Sequence, residues 1–315
     1  MRVLKAAEGE VLDLAFSPDG NAVAAAFPYN VYLWNLEAAP PVPVKLVVED
    51  GCCRGGLHFS ANGRSLSWRM NGGHRVYDRD HKEYTDHSFA ITRATPAVIR
   101  SADGLRVVSQ HGLPDHCLIG WRTAGGEWIR TWTISTADMD AQSLTLSDDA
   151  RLFAMLTRSA LGHRWWDHPL RVEIRDAATA KIQATAEYPS NQPARLVLSP
   201  NVHQLVGFKD MTLLIWQIPA ELGSTEQSQR LGPPQLIRND NRKHFTALAY
   251  HPSGRHLYAA SNDTTVHIFD TQTWERAGRF TWQLGNLKAV TVSPDGTLAA
   301  AGSDKGDVVI WDVDV

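Results

Sequence analysis

The sequence predicts an all-β chain assembled from seven copies of one small sheet unit. The first observation is a recurring turn: Ser17-Pro18-Asp19-Gly20, Ser60-Ala61-Asn62-Gly63, Ser101-Ala102-Asp103-Gly104, Ser147-Asp148-Asp149-Ala150, Ser199-Pro200-Asn201-Val202, His251-Pro252-Ser253-Gly254 and Ser293-Pro294-Asp295-Gly296. Successive copies start 41 to 52 residues apart. Proline presets φ in such a turn, and glycine accepts the positive φ that branched residues resist. The second observation is a landmark closing an apolar run after each turn: Trp34-Asn35, Tyr77-Asp78, Trp121-Arg122, Arg175-Asp176, Trp216-Gln217, Phe269-Asp270 and Trp311-Asp312. Arg175 is the one non-aromatic leader. Third, no segment keeps apolar residues at i, i+3, i+4 and i+7 beyond a turn or two, so long helices are not expected. Two landmarks in one order, repeated along the chain, are the signature of an array.

These residues resemble the WD-repeat (Trp-Asp repeat) β-propeller family over essentially all 315 residues. The resemblance is strongest in the first, sixth and seventh repeats. In that family a repeat of about 40–45 residues forms one four-stranded blade. The resemblance therefore implies one seven-bladed β-propeller of four-stranded antiparallel blades. The blades fall at approximately 9–50, 51–90, 91–136, 137–190, 191–238, 239–284, and 285–315 plus 1–7. Two spacings of 52 residues place insertions in two blades. Family blades often join a His, a Ser, an Asp and a Trp by hydrogen bonds. Here Ser261 and Asp263 stand with Phe269 in the Trp position, and Ser303 and Trp311 with Lys305 in the Asp position. In the first repeat Ala26 and Pro28 replace the Ser and Asp. Blades held mainly by packing, with few buried polar networks, are the expectation.

In chain order, 2–6 reads as a lone strand before the first repeat, while the seventh repeat ends just after its third strand. The N-terminal strand is therefore expected to complete the last blade and close the ring, because an open edge offers unpaired N–H and C=O groups. The first blade reads as an inner strand 11–16, a small-residue strand 22–26, a third strand 31–36 and an outer strand 44–48. The second blade is polar, with Arg69, Asn71, His74 and Arg75. The third carries the outer strand 128–134. The fourth has a long connection over 158–169. The fifth carries 220–234, polar enough to read as a loop. The sixth and seventh follow the family pattern. Continuous apolar strands suit sheets covered on both faces.

Composition narrows the function classes. A net charge of −3 with 43% hydrophobic residues suits a large core and argues against a nucleic-acid binder. Three cysteines, Cys52, Cys53 and Cys117, make no disulfide framework. Cys52 and Cys53 read as core or loop thiols. No run approaches the roughly 18 apolar residues of a membrane helix, and the N-terminus lacks a signal-peptide core. The expectation is a cytoplasmic protein, a monomer on its own, with no membrane partner.

No phosphate-binding glycine loop, His-Glu-x-x-His, Cys-x-x-Cys or Gly-x-Ser-x-Gly occurs. The chain therefore reads as a non-enzyme without cofactor. One coincidence stands against that: His111, Asp115 and His116 share the spacing His-x3-Asp-His with His163, Asp167 and His168. Both sets are expected in second-to-third-strand loops of adjacent blades, and imidazole with carboxylate is a zinc ligand set. Loops lack the rigidity a metal site needs, so this set is the weaker candidate. By resemblance, one rim gathers Tyr29, Arg54, His74, Trp165, Trp166, Lys209, His244, Asn262, Lys288 and Lys305. Tryptophan is enriched where partners dock, and the basic lean suits an acidic or phosphorylated peptide. The favoured reading is a non-catalytic scaffold binding a protein or peptide. The alternative is an enzyme or a small-ligand or metal binder at a central channel mouth.

Overall fold

A computed structural model describes residues 1–6, 9–47, 53, 55–60, 62–70, 73–88, 98–100, 106–113, 116–122, 128–135, 139–147, 149, 151–159, 170–189, 195–222 and 228–313. Among them every regular element is a strand, and none is a helix able to cross a membrane. The chain divides into two compact units, 1–88 with 240–315, and 89–239.

The first unit opens with β1 (Arg2–Lys5). The first repeat forms β2 (Asp13–Phe16), β3 (Ala22–Ala26), β4 (Asn30–Asn35) and β5 (Pro43–Val47). The second forms β6 (His58–Phe59), β7 (Ser65–Met70), β8 (Gly73–Asp78) and β9 (Glu83–Ser88). In the second unit the third repeat forms β10 (Val98–Arg100), β11 (Arg106–Leu113), β12 (His116–Arg122) and β13 (Trp128–Ser135). The fourth forms β14 (Met139–Leu146), β15 (Leu152–Ser159), β16 (Leu170–Asp176) and β17 (Ile182–Tyr188). The fifth forms β18 (Val197–Leu198), β19 (Gln204–Lys209), β20 (Thr212–Gln217), β21 (Gln229–Arg230) and β22 (Gln235–Arg238). Back in the first unit come β23 (Phe245–Tyr250), β24 (His256–Ser261), β25 (Thr265–Asp270) and β26 (Arg276–Thr281). Last are β27 (Leu287–Val292), β28 (Leu298–Ser303) and β29 (Asp307–Asp312).

Each repeat gives one sheet, with its strands in sequence order except at two places. The last sheet runs β1-β29-β28-β27, so the N-terminal strand is its fourth member. The register Arg2↔Ile310 to Lys5↔Asp307 is antiparallel, and Leu4 is buried with Val11, Val23, Val308 and Ile310. The second place is the fourth sheet, where β21 joins the outer edge of β17 in parallel. This corrects two expectations. The sheets are not antiparallel throughout, and 220–234 is not wholly loop, because Leu231 is apolar enough to anchor it in the core.

The repeated turn is one hydrogen-bonding device. In the seventh sheet the buried Ser293 hydroxyl donates to Asp295 Oδ1 at 2.6 Å and accepts the Leu298 N–H at 2.9 Å. The Gly296 N–H returns to the Ser293 carbonyl at φ +77°. Ser17 with Asp19 and Ala22 repeats it, as do Ser147 with Asp149 and Leu152, and Ser199 with Asn201 and Gln204. The side chain thus caps donors that the turn leaves unpaired. His251 takes the serine position in the sixth sheet. Its Nδ1 accepts from the Ser253 N–H at 3.1 Å, and its Nε2 reaches Gly296 O of the next sheet at 3.1 Å.

Packing between sheets uses small residues where chains crowd. Ala22 to Ala26 and Ala299 to Ala301 are buried, and a Cβ on Gly302 would stand 2.4 Å from a Val11 methyl. The indole N–H groups of Trp216 and Trp311 meet no acceptor among the described residues, as expected if the family's polar set is diluted. The fourth sheet departs from that expectation. Arg175, in the usual aromatic position, is buried and donates to Glu173 Oε2 at 2.9 and 2.7 Å. It also donates to Ala180 O at 2.8 Å. Arginine suits this site because its fork matches a carboxylate and a carbonyl together.

Candidate partner-binding rim

Antiparallel pairing puts the start of each first strand, the end of the second and the start of the third at one end of a sheet. In the first unit the first strands β23, β27, β2 and β6 are neighbours in that order. Their loop ends therefore adjoin. In the sixth sheet the His244 N–H donates to Asn262 Oδ1 and the Asn262 N–H to His244 O, both at 3.0 Å. The seventh repeats this clamp: the Asn286 N–H donates to Asp304 Oδ1 at 3.0 Å, and the Asp304 N–H to Asn286 O at 2.8 Å. From the seventh sheet to the first, a Cβ on Gly306 would lie 2.9 Å from Gly9 O and 3.6 Å from a Phe27 ring carbon. Lys288 Nζ pairs with Glu10 at 3.3 Å. From the first sheet to the second, the Cys53 N–H donates to Pro28 O at 2.7 Å. Asp13 Oδ2 accepts the Gly56 N–H at 2.7 Å and the Leu57 N–H at 3.1 Å.

Five of the sequence-derived rim residues thus sit along this one border. Tyr29 projects from the turn after β3 and is 65% exposed. His244, Asn262, Lys288 and Lys305 follow on the sixth and seventh sheets, with His244 and Lys305 exposed. His74 is the second residue of β8, paired with Arg69 and His87 in register. Lys209 ends β19 in the other unit, and its ammonium donates to Pro189 O at 2.9 Å. Arg54, Trp165 and Trp166 lie outside the described residues.

In the first His-x3-Asp-His set, the two histidines stand on strands rather than in the loop expected. His111 lies within β11 and His116 begins β12, because the hairpin pairing extends to Leu113↔His116. Asp115, His163, Asp167 and His168 lie outside the described residues. Cys53 is buried; Cys52 lies outside them.

A polar cluster beneath the sixth-sheet clamp was not read from the sequence. His267, in β25, is 1% exposed and lies between Phe245 and Phe269, with ring centroids at 6.1 and 6.2 Å. Asn241 Nδ2 donates to Asp263 Oδ2 and lies 3.5 Å from His267 Nε2. Asp240 pairs with Arg276. Burial pushes the His267 imidazole below its ordinary pKa, against the pull of the Asp263 and Asp240 carboxylates. The Asp263 match was legible. Its partner Asn241 lies 22 residues upstream, with no spacing rule to announce it.

Comparison with known proteins places the repeats in a family pattern. The family described as WD domain, G-beta repeat matches residues 1–35, 236–270 and 278–312. In these three segments the chain carries WD repeats. They fall mainly in the first, sixth and seventh repeats, the three where the sequence resemblance is strongest. A similar protein is the serine-threonine kinase receptor-associated protein of Gallus gallus, 23% identical over 174 residues. That stretch is 55% of this chain and 43% of the relative, so the chain matches less than half of that protein's length. Among solved structures, the β-propeller domain of Cps50 (Swd1) from Myceliophteria thermophila is similar, with a TM-score of 0.75. It is 16% identical, with 98% of each chain covered, and the likeness is one of fold.

Proposed function

We propose that the seven sheets stand as blades of one closed ring, and that the ring is a non-catalytic platform binding a protein or peptide on its rim. The reading rests on one observation: three adjoining sheets, the sixth, seventh and first, bring Tyr29, His244, Asn262, Lys288 and Lys305 to a common border, where the backbone of the sixth and seventh is clamped by reciprocal hydrogen bonds. Rigid loops carrying an exposed aromatic and unlike charges suit recognition. Scaffold roles are general for WD-repeat propellers, which supports the same reading by analogy of fold. Arg54, His74, Lys209, Trp165 and Trp166 are proposed to extend the surface. The protein is proposed to be cytoplasmic and monomeric on its own.

The test is photo-crosslinking in extract of the source cell. A photoreactive residue at position 29 should capture a defined partner that one at position 84, on the outer strand β9, does not. The double change Tyr29→Ala with Lys305→Glu should lose that partner while melting stays unchanged. Equal capture from both positions, or capture that survives the double change, overturns the rim reading.

A further inference from the structure

The outer edge of the fourth sheet is already occupied. Gln229 and Arg230 lie parallel to β17 in the register Ala184↔Gln229 and Thr185↔Arg230, and the Leu231 N–H donates to Thr185 O at 2.9 Å. Leu231 is 8% exposed and joins the cluster of Ala184, Ala186 and Tyr188. Arg230 pairs with Glu187 in the open.

We propose that this edge is a docking slot for an extended peptide of a partner protein carrying a basic residue followed by leucine, and that 229–231 occupy it in cis. The slot goes beyond the rim reading and uses none of its residues, so either can fail alone. An unpaired strand edge accepts a further strand, with main-chain bonds for affinity and alternate side chains for specificity. Here the specificity elements are visible: an apolar site for leucine and a carboxylate, Glu187, for the cation before it. The cis segment fills the slot poorly. Two residues of the seven in β17 are paired by it. Continuing the register sets Gly232 and Pro233 against Glu187 and Tyr188, and Pro234 follows. Proline has no N–H to give a ladder, so the chain's own sequence stops the pairing. An exposed ion pair adds little. A peptide with the same Arg-Leu pair but β-branched residues after it can pair along the rest of β17.

Two fluorescent heptapeptides test this against the full chain: Ser-Gln-Arg-Leu-Gly-Pro-Pro, the native segment, and Ser-Gln-Arg-Leu-Thr-Val-Thr. The second should bind a variant with Arg230→Glu and Leu231→Asp with a Kd of about 100 µM or tighter. It should bind about tenfold more weakly to the unaltered chain, where the cis segment competes. Replacing the peptide's leucine with aspartate should abolish binding. No binding to the variant, or equal binding to both chains, overturns the proposal. Should the variant fail to fold, amide exchange in the unaltered chain decides. The Leu231 amide should exchange at least about a hundredfold faster than that of Val172 in β16. Equal protection would make the segment a fixed strap and overturn the slot.

Discussion

At the scale of residues, the repeated turn turns on one hydroxyl. Ser293 is fully buried, and its oxygen both donates to Asp295 and accepts a backbone N–H. That donor, with the Thr297 N–H, holds the Asp295 carboxyl below the ordinary range. Ser293→Ala leaves the Leu298 N–H without its bond and should cost about 1–3 kcal/mol in urea unfolding. The Asp295 carboxyl should then titrate closer to its ordinary value by NMR. His267 gives a second prediction. Its pKa is depressed in the fold, so the folded state favours the neutral ring. The stability this lends is present above the unfolded pKa of about 6.5 and is lost as pH falls through the folded value. Urea midpoints from pH 7.5 to 5 should fall for the unaltered chain, and less for His267→Gln. The serine turns were legible because proline, glycine and a hydroxyl at fixed offsets form one local unit. The His267 cluster was not, because its members meet through the fold rather than through spacing.

At the scale of elements, the N-terminal strand and the strands of the first repeat were legible nearly to the residue. The expected 22–26 is β3, and the expected 2–6 is β1, one residue shorter. Strong turns bound them on both sides. β21 could not be read, because two residues carry no periodicity and a parallel partner lies some 45 residues upstream in register. The same limit applies to His111. Its polar neighbours suggest a loop, but the β11–β12 hairpin runs through them. For β1 the pairing makes a sharp prediction. Deleting residues 1–6 removes Leu4 from the core and bares the β29 edge. The melting temperature should drop by about 5 °C or more, with faster amide exchange over 307–310. A fall of about 2 °C or less would show that β1 contributes little.

At the scale of the whole molecule, the proposed ring makes a prediction about connectivity. Met1 N lies 3.7 Å from Asp312 Oδ2, so a short linker can join positions 315 and 1. A permutant opened between 284 and 285 would then build the last sheet from consecutive strands. It should fold, yet melt below the native chain, because that sheet is then no longer shared between distant segments. Equal melting would mean that sharing a sheet between the two ends adds nothing to the ring.

The shared last sheet also sets an order of events during synthesis. The residues of β1 leave the ribosome before those of every other described strand, and their partner β29 leaves after all of them. At about 5–20 residues per second, the first strand waits tens of seconds beside an unfinished chain. A nascent or prematurely terminated product that lacks β29 therefore shows a stray strand, β1, with Leu4 uncovered. Quality-control factors that grip extended unpaired segments would find such products by β1.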